Sequence, residues 1–121
     1  MPVALELKTV ASSGGAQANN CTFPAVSGQT FYLSGFDITG LGATAGSTIQ
    51  ITVTGTSSAN TPTYNLVIPA GATTSIGFFP PIRYGEKGMP AAGQNSSVTV
   101  NVPSFGAGNT NASVVAFGFY C

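Results

Sequence analysis

Two stretches of this chain alternate polar and branched apolar residues without interruption. One is Ser47-Thr48-Ile49-Gln50-Ile51-Thr52-Val53-Thr54, and the other is Ser96-Ser97-Val98-Thr99-Val100-Asn101-Val102. A period of two places Ile49, Ile51 and Val53 on one side of an extended chain, and Val98, Val100 and Val102 likewise. A helix would scatter these residues around its axis. β-Branched side chains also suit a pleated, half-buried surface. The two stretches are therefore expected to be strands of sheets with one face in a core.

Further strands are predicted at about Val3–Val10, Asn20–Phe23, Thr30–Ile38, Thr63–Ile68, Thr74–Phe79 and Ser113–Phe119. Turn chemistry separates them at Ser12-Ser13-Gly14-Gly15, Gly40-Leu41-Gly42, Ser57-Ser58-Ala59-Asn60, Pro69-Ala70-Gly71, Gly85 to Gly93 and Gly106-Ala107-Gly108-Asn109. Leu41 to Ala45 has room for one helical turn, and no segment keeps a 3.6 period long enough for a real helix. Many short strands with regular turns predict an all-β fold, an antiparallel β-sandwich of jelly-roll type with about eight strands. The 121 residues fit one domain, residues 1–121, that buries roughly two thirds of its unfolded surface. Pro80 to Gly93 breaks the rhythm. Pro80-Pro81 cannot continue inside a paired strand, so this segment is expected to be a long exposed loop.

The charge is unusually sparse. Glu6, Asp37 and Glu86 are the acids, Lys8, Arg83 and Lys87 the bases, and there is no histidine. Charged residues make up 5% of the chain, against about 25% for an average domain. Proton-transfer catalysis draws most often on histidine, and a serine nucleophile needs a base. No Ser-x-x-Lys motif is present, and three scattered acids give no reason to expect a glycosidase pair. No enzyme activity is expected. Neither cysteine spacing nor an acid-rich loop suggests a metal site, and the glycine clusters lack the spacing of phosphate-binding loops. No catalytic residue, cofactor or metal is predicted. A basic stripe for nucleic acid is missing, and no apolar run approaches the ~20 residues of a membrane helix. Neither nucleic acid nor membrane is expected as a partner. The first residues lack a basic segment followed by a long apolar one, so synthesis in a cytoplasm is expected. Asn20-Cys21-Thr22, Asn95-Ser96-Ser97 and Asn111-Ala112-Ser113 match the glycosylation triplet by chance in so Ser-, Thr- and Asn-rich a chain.

Cys21 and Cys121 are expected to be free thiols, Cys21 as a small buried apolar residue. A bridge between subunits through Cys121 is the alternative. Most of the Phe and Tyr residues fall on strands and are expected in the core, while an exposed row of them would suit a sugar.

The stretch Phe31-Tyr32-Leu33-Ser34-Gly35-Phe36-Asp37-Ile38-Thr39-Gly40, followed by Ala43-Thr44-Ala45-Gly46-Ser47, resembles small virion proteins of tailed bacteriophages. So do Val67-Ile68-Pro69-Ala70-Gly71-Ala72-Thr73-Thr74 and Val102 to Ala112. The resemblance implies a jelly roll or related β-sandwich, commonly a homotrimer, in a capsid decoration (cement) protein, a minor tail protein or a fibre module. It carries over no site residue. The leading expectation is a decoration protein that stabilises a phage head by contacts with the major capsid protein or another virion protein. The alternative is a tail-associated module that binds a receptor or glycan.

Two contact elements are expected. One is the N-terminal strand, where Val3, Leu5 and Leu7 alternate with Ala4, Glu6 and Lys8. It pairs either with a neighbour's open edge or simply within its own sheet. The other is the Pro80–Gly93 loop, where Ile82, Tyr84 and Met89 lie among its few charges. Those three either meet a partner or fold back on the sandwich as a lid.

Overall fold

Alternation in the sequence becomes alternation in burial. In the computed structural model, which describes residues 7–13, 18–41, 47–57, 60–68, 82–85, 87–104 and 111–121, Ile49, Ile51 and Val53 are buried. Val98, Val100 and Val102 are buried on the same face of the neighbouring strand, with Thr99 and Asn101 turned outward. The described residues form nine strands and no helix: β1 (Leu7–Ser13), β2 (Asn19–Phe23), β3 (Phe31–Leu41), β4 (Ser47–Thr54), β5 (Thr63–Ile68), β6 (Ile82–Arg83), β7 (Met89–Pro90), β8 (Val98–Val102) and β9 (Asn111–Tyr120).

They build two antiparallel sheets. One has the order β1-β9-β3-β6, with β7 also on β3, and the other runs β2-β8-β4-β5. The pairs β1 with β9, β2 with β8, β3 with β6 and β7, and β4 with β5 are nested like a folded hairpin. Two further ladders, β3 with β9 and β4 with β8, join the nested pairs into sheets. This winding is a jelly roll. β6 and β7 share one strand position beside β3, so nine strands fill the eight places of the fold.

One apolar cluster joins the sheets. Phe31, Leu33, Phe36, Ile38, Val114 and Ala116 come from the first sheet, and Cys21, Phe23, Ile49, Ile51, Val53, Val98, Val100 and Val102 from the second. Phe23 and Phe31 stack across the gap with centroids 4.2 Å apart. Gly118 lies under this stack. A side chain there would collide with the Phe31 ring and the Tyr32 carbonyl. Cys21 is fully buried, its thiol 3.4 Å from the Thr9 carbonyl oxygen and 3.5 Å from that of Val114. Cys121 is exposed, and both cysteines are thiols outside any disulfide, as the sequence predicts.

Several strand ends differ from expectation. β1 runs on to Ser13, and β3 continues through Gly40 and Leu41, which read as turn residues in the sequence. β9 begins at Asn111. In each case a partner strand extends the ladder: Ser12 faces Ser113, Ser13 faces Ala112, and Leu41 faces Asn111. Cross-strand pairing outweighs local turn preference there. The Pro80–Gly93 segment is not a bare loop either, since Ile82–Arg83 and Met89–Pro90 pair with β3. Pro90 is tolerated because β7 lies at a sheet edge. The strand expected at Thr74–Phe79 lies outside the described residues, as do Gly42 to Ala45 of the candidate helical turn.

Candidate functional site

The two outer faces of the sandwich are chemically unlike. On the first sheet, Tyr32 and Phe119 sit opposite each other on β3 and β9, rings stacked at 5.2 Å with 12° between planes. The next outward residue of β9, Phe117, lies beneath the Arg83 guanidinium, 4.8 Å from carbon to ring centroid. Arg83 reaches across β3 to Asp37, with Nη1–Oδ1 at 2.9 Å and Nη2–Oδ2 at 3.4 Å. Beyond Phe117, Val115 faces Val10 of β1, and Val10 is 63% exposed. The sequence thus folds Val10, Val115, Phe117, Phe119 and Tyr32 onto one apolar band, edged by Lys8, Asp37 and Arg83. On β1 and β9 these positions follow from the period of two, whereas on β3 a register shift between Leu33 and Gly35 brings Tyr32 and Asp37 onto the same face. The Tyr32–Phe119 stack turns these two rings toward each other. The aromatic row therefore does not form a flat platform for a sugar ring.

The second sheet turns a different set outward. Thr22, Thr99 and Thr54 form a line across β2, β8 and β4, and Asn20, Asn101, Thr52 and Thr63 form the next line across all four strands. Gln50 faces Asn65, and its amide donates to the Asn65 carbonyl oxygen at 3.1 Å. The Thr22 and Thr99 hydroxyls are 3.1 Å apart, and Asn101 Nδ2 donates to Thr54 Oγ1 at 3.2 Å. Every outward position of this sheet whose side chain is described, Thr48 included, carries a hydroxyl or an amide. None carries a charge.

Where one sheet edge meets the other, Tyr64 of β5 and Tyr84, just past β6, place their hydroxyls 2.8 Å apart. Phe36 lies beneath both rings, at 6.0 Å and 6.5 Å. The Tyr84 phenol is held well above its usual range, first by burial and then by its hydrogen bond and proximity to Tyr64. At the opposite end Tyr120 donates to the Pro24 carbonyl at 2.5 Å, and burial raises its phenol too.

The residues expected to make contacts are spread over these surfaces. Val3 and Leu5 lie outside the described residues. Leu7 opens β1, an edge strand of its own sheet paired with β9, and is 40% exposed. Ile82 and Tyr84 pack against the core, which is the lid arrangement, and Met89 is half-buried opposite Leu33. Leu7 lies at the β1 edge of this sheet and Ile82, Tyr84 and Met89 lie at or just past its β6 and β7 edge, so these described residues are not brought together. Sequence reasoning missed both outer faces as units. The signal was present, because the residues between the buried ones in β4 and β8 are all Thr, Gln or Asn, but the strand order that assembles them was not. Among the described residues no group of three His, Cys, Asp or Glu side chains lies close enough to hold a metal ion. No protein-family model matches the chain, and no curated protein is similar to it.

Proposed function

We propose that the chain is a structural virion protein of the capsid decoration type, which cements neighbouring shell subunits through protein–protein contacts and works as a homo-oligomer, most simply a trimer. It is made in the host cytoplasm and used on the particle. The observation that carries the reading is the apolar band on the outer face of the first sheet. Val10 stands there 63% exposed beside Val115 and Phe117, and covering it removes apolar surface from water. The side of β1 away from β9, unpaired among the described residues, borders the same band and offers backbone hydrogen bonds to a neighbour. The resemblance of the sequence to small phage virion proteins points the same way. A single contact of this kind is weak. On a symmetric shell many such contacts act together through avidity, and with so few charges they depend little on salt.

Sedimentation of the pure protein together with cryo-microscopy of particles tests the proposal. An oligomer burying more than about 1,000 Å² and seated on the head supports it. Val10→Asp, an exposed substitution that leaves the circular dichroism spectrum unchanged, is expected to abolish shell binding, and deletion of Met1 to Leu7 to weaken assembly more than folding. A monomer found on no capsid surface overturns the proposal. A trimer on the tail alone keeps the oligomer and overturns the decoration role.

A further inference from the structure

We infer that the outer face of the β2-β8-β4-β5 sheet is a binding site for neutral polysaccharide. The inference does not depend on the virion proposal. Its basis is what this face holds and what it leaves out. Rows of hydroxyl and amide side chains repeat at the strand spacing of about 4.8 Å across the sheet and about 6.7 Å along it. The Thr22–Thr99–Thr54 line and the Asn101–Thr52–Thr63 line lie side by side. An ordinary solvated face carries Lys, Arg, Asp and Glu of both signs. All the charged side chains the structure describes lie elsewhere: Lys8 on β1, Asp37 on β3, Arg83 on β6 and Lys87 beyond it.

The chemistry of the face selects its occupant. A threonine hydroxyl offers one donor and two acceptor positions, and an amide offers two of each. The Thr22–Thr99 and Gln50–Asn65 bonds, the Thr54 and Thr63 hydroxyls donating to the Thr99 and Thr61 carbonyls, the Asn101 amide donating to Thr54, and the Val102 N–H donating to Asn20 use part of that capacity. An apolar protein surface laid here would strand these groups, each at a desolvation cost. An anionic or cationic ligand would find no counter-charge. A neutral chain of sugars returns both donors and acceptors at high density and needs no ion pair. The side chains are short and held on strands, so little rotamer freedom is lost when they bind. Because each hydrogen bond contributes little net free energy, a single copy binds weakly and a multivalent display binds well.

The test uses the full chain, biotinylated at the exposed Cys121 and displayed on streptavidin, run by affinity electrophoresis through gels containing soluble neutral glucan, mannan or xylan. Retardation by at least one of these is expected, unchanged between low salt and 1 M sodium chloride. The Thr22→Val, Thr54→Val, Thr99→Val triple variant keeps the shape of the face and is expected to weaken retardation at least tenfold. Asn65→Asp, an exposed single change that adds a charge, should reduce it as well. Val10→Asp on the other sheet should leave it intact. The inference is overturned by no retardation on any of the three polysaccharides, or by equal retardation of the triple variant. Retention by an acidic polysaccharide alone also overturns it. So does a change in oligomeric state in the triple variant, which would make the face a contact between copies. Shaping of ice crystals without polysaccharide binding would assign the face to ordered water instead.

Discussion

The hydroxyls of Tyr64 and Tyr84 lie 2.8 Å apart and join the β5 edge of one sheet to the segment following β6 in the other. Both rings rest on Phe36. Replacing Tyr84 by Phe keeps the ring contact and removes the bond. The expected cost is about 1 kcal/mol of unfolding free energy, read from urea denaturation with an unchanged slope.

Burial of Tyr84 and Tyr120 sets an alkaline limit. Tyr84 and Tyr120 both resist ionisation in the folded protein, chiefly because burial disfavours the phenolate. Their unfolded counterparts ionise near pH 10. The unfolded state therefore loses protons first as pH rises, so the contribution of these groups is complete below about pH 10 and declines above it. Denaturation midpoints should fall above about pH 10, and fall less steeply in Tyr84→Phe. A flat profile in the wild-type chain between pH 9 and 12 would contradict this.

Core substitutions separate by mechanism. Ile51→Asp places an unpaired charge among Phe36, Val53 and their neighbours and is expected to prevent folding. Gly118→Ala is apolar and small, yet its added carbon meets the Phe31 ring and the Tyr32 carbonyl. It should cost about 1–3 kcal/mol, as overpacking does. Equal stability of Gly118→Ala and the wild type by thermal unfolding would show that β9 can shift away from β3.

Asp37 and Arg83 make a paired contact on the surface, with both side chains about half exposed. Such pairs contribute about 0.2–1 kcal/mol. A double-mutant cycle of Asp37→Asn and Arg83→Gln should give a coupling in that range that shrinks in 1 M salt. The loss on Arg83→Gln alone should exceed the coupling, because the guanidinium also covers Phe117.

Thiol chemistry distinguishes the cysteines. Cys121 is exposed and Cys21 fully buried. The native protein should react with one equivalent of an aromatic disulfide reagent and the unfolded chain with two. Two rapid equivalents in native buffer would mean that the β1–β2 corner opens readily.

The strands that could be read from sequence are those whose two faces differ. Ile49 to Val53 and Val98 to Val102 meet a core on one side and water on the other, so their period shows in the residues themselves. Thr63–Ile68 matched residue for residue. The ends of β1, β3 and β9 did not, because Ser12, Ser13, Gly40 and Leu41 are held extended by partners far away in the chain. β6 and β7 are two residues each, too short to have a period. The two outer faces share this limit. Thr22, Thr54 and Thr99 are separate hydroxyls in sequence and become a row only when β8 is laid between β2 and β4. The apolar band likewise requires β9 between β1 and β3.

That central placing of the last strands has a consequence for how the chain is made. β1 and β3 both await β9, and β2 and β4 both await β8. While the ribosome is still reading the middle of the message, each sheet lacks one of its two inner strands, β9 in the first and β8 in the second, and the core around Ile51, Phe31 and Cys21 stays open on that side. The fold therefore closes only once Asn111–Tyr120 has left the ribosome, and the long-range closure makes it slow. A message truncated before Asn111 yields a chain that cannot close the first sheet, so protein quality control meets an open, apolar intermediate rather than a shortened domain.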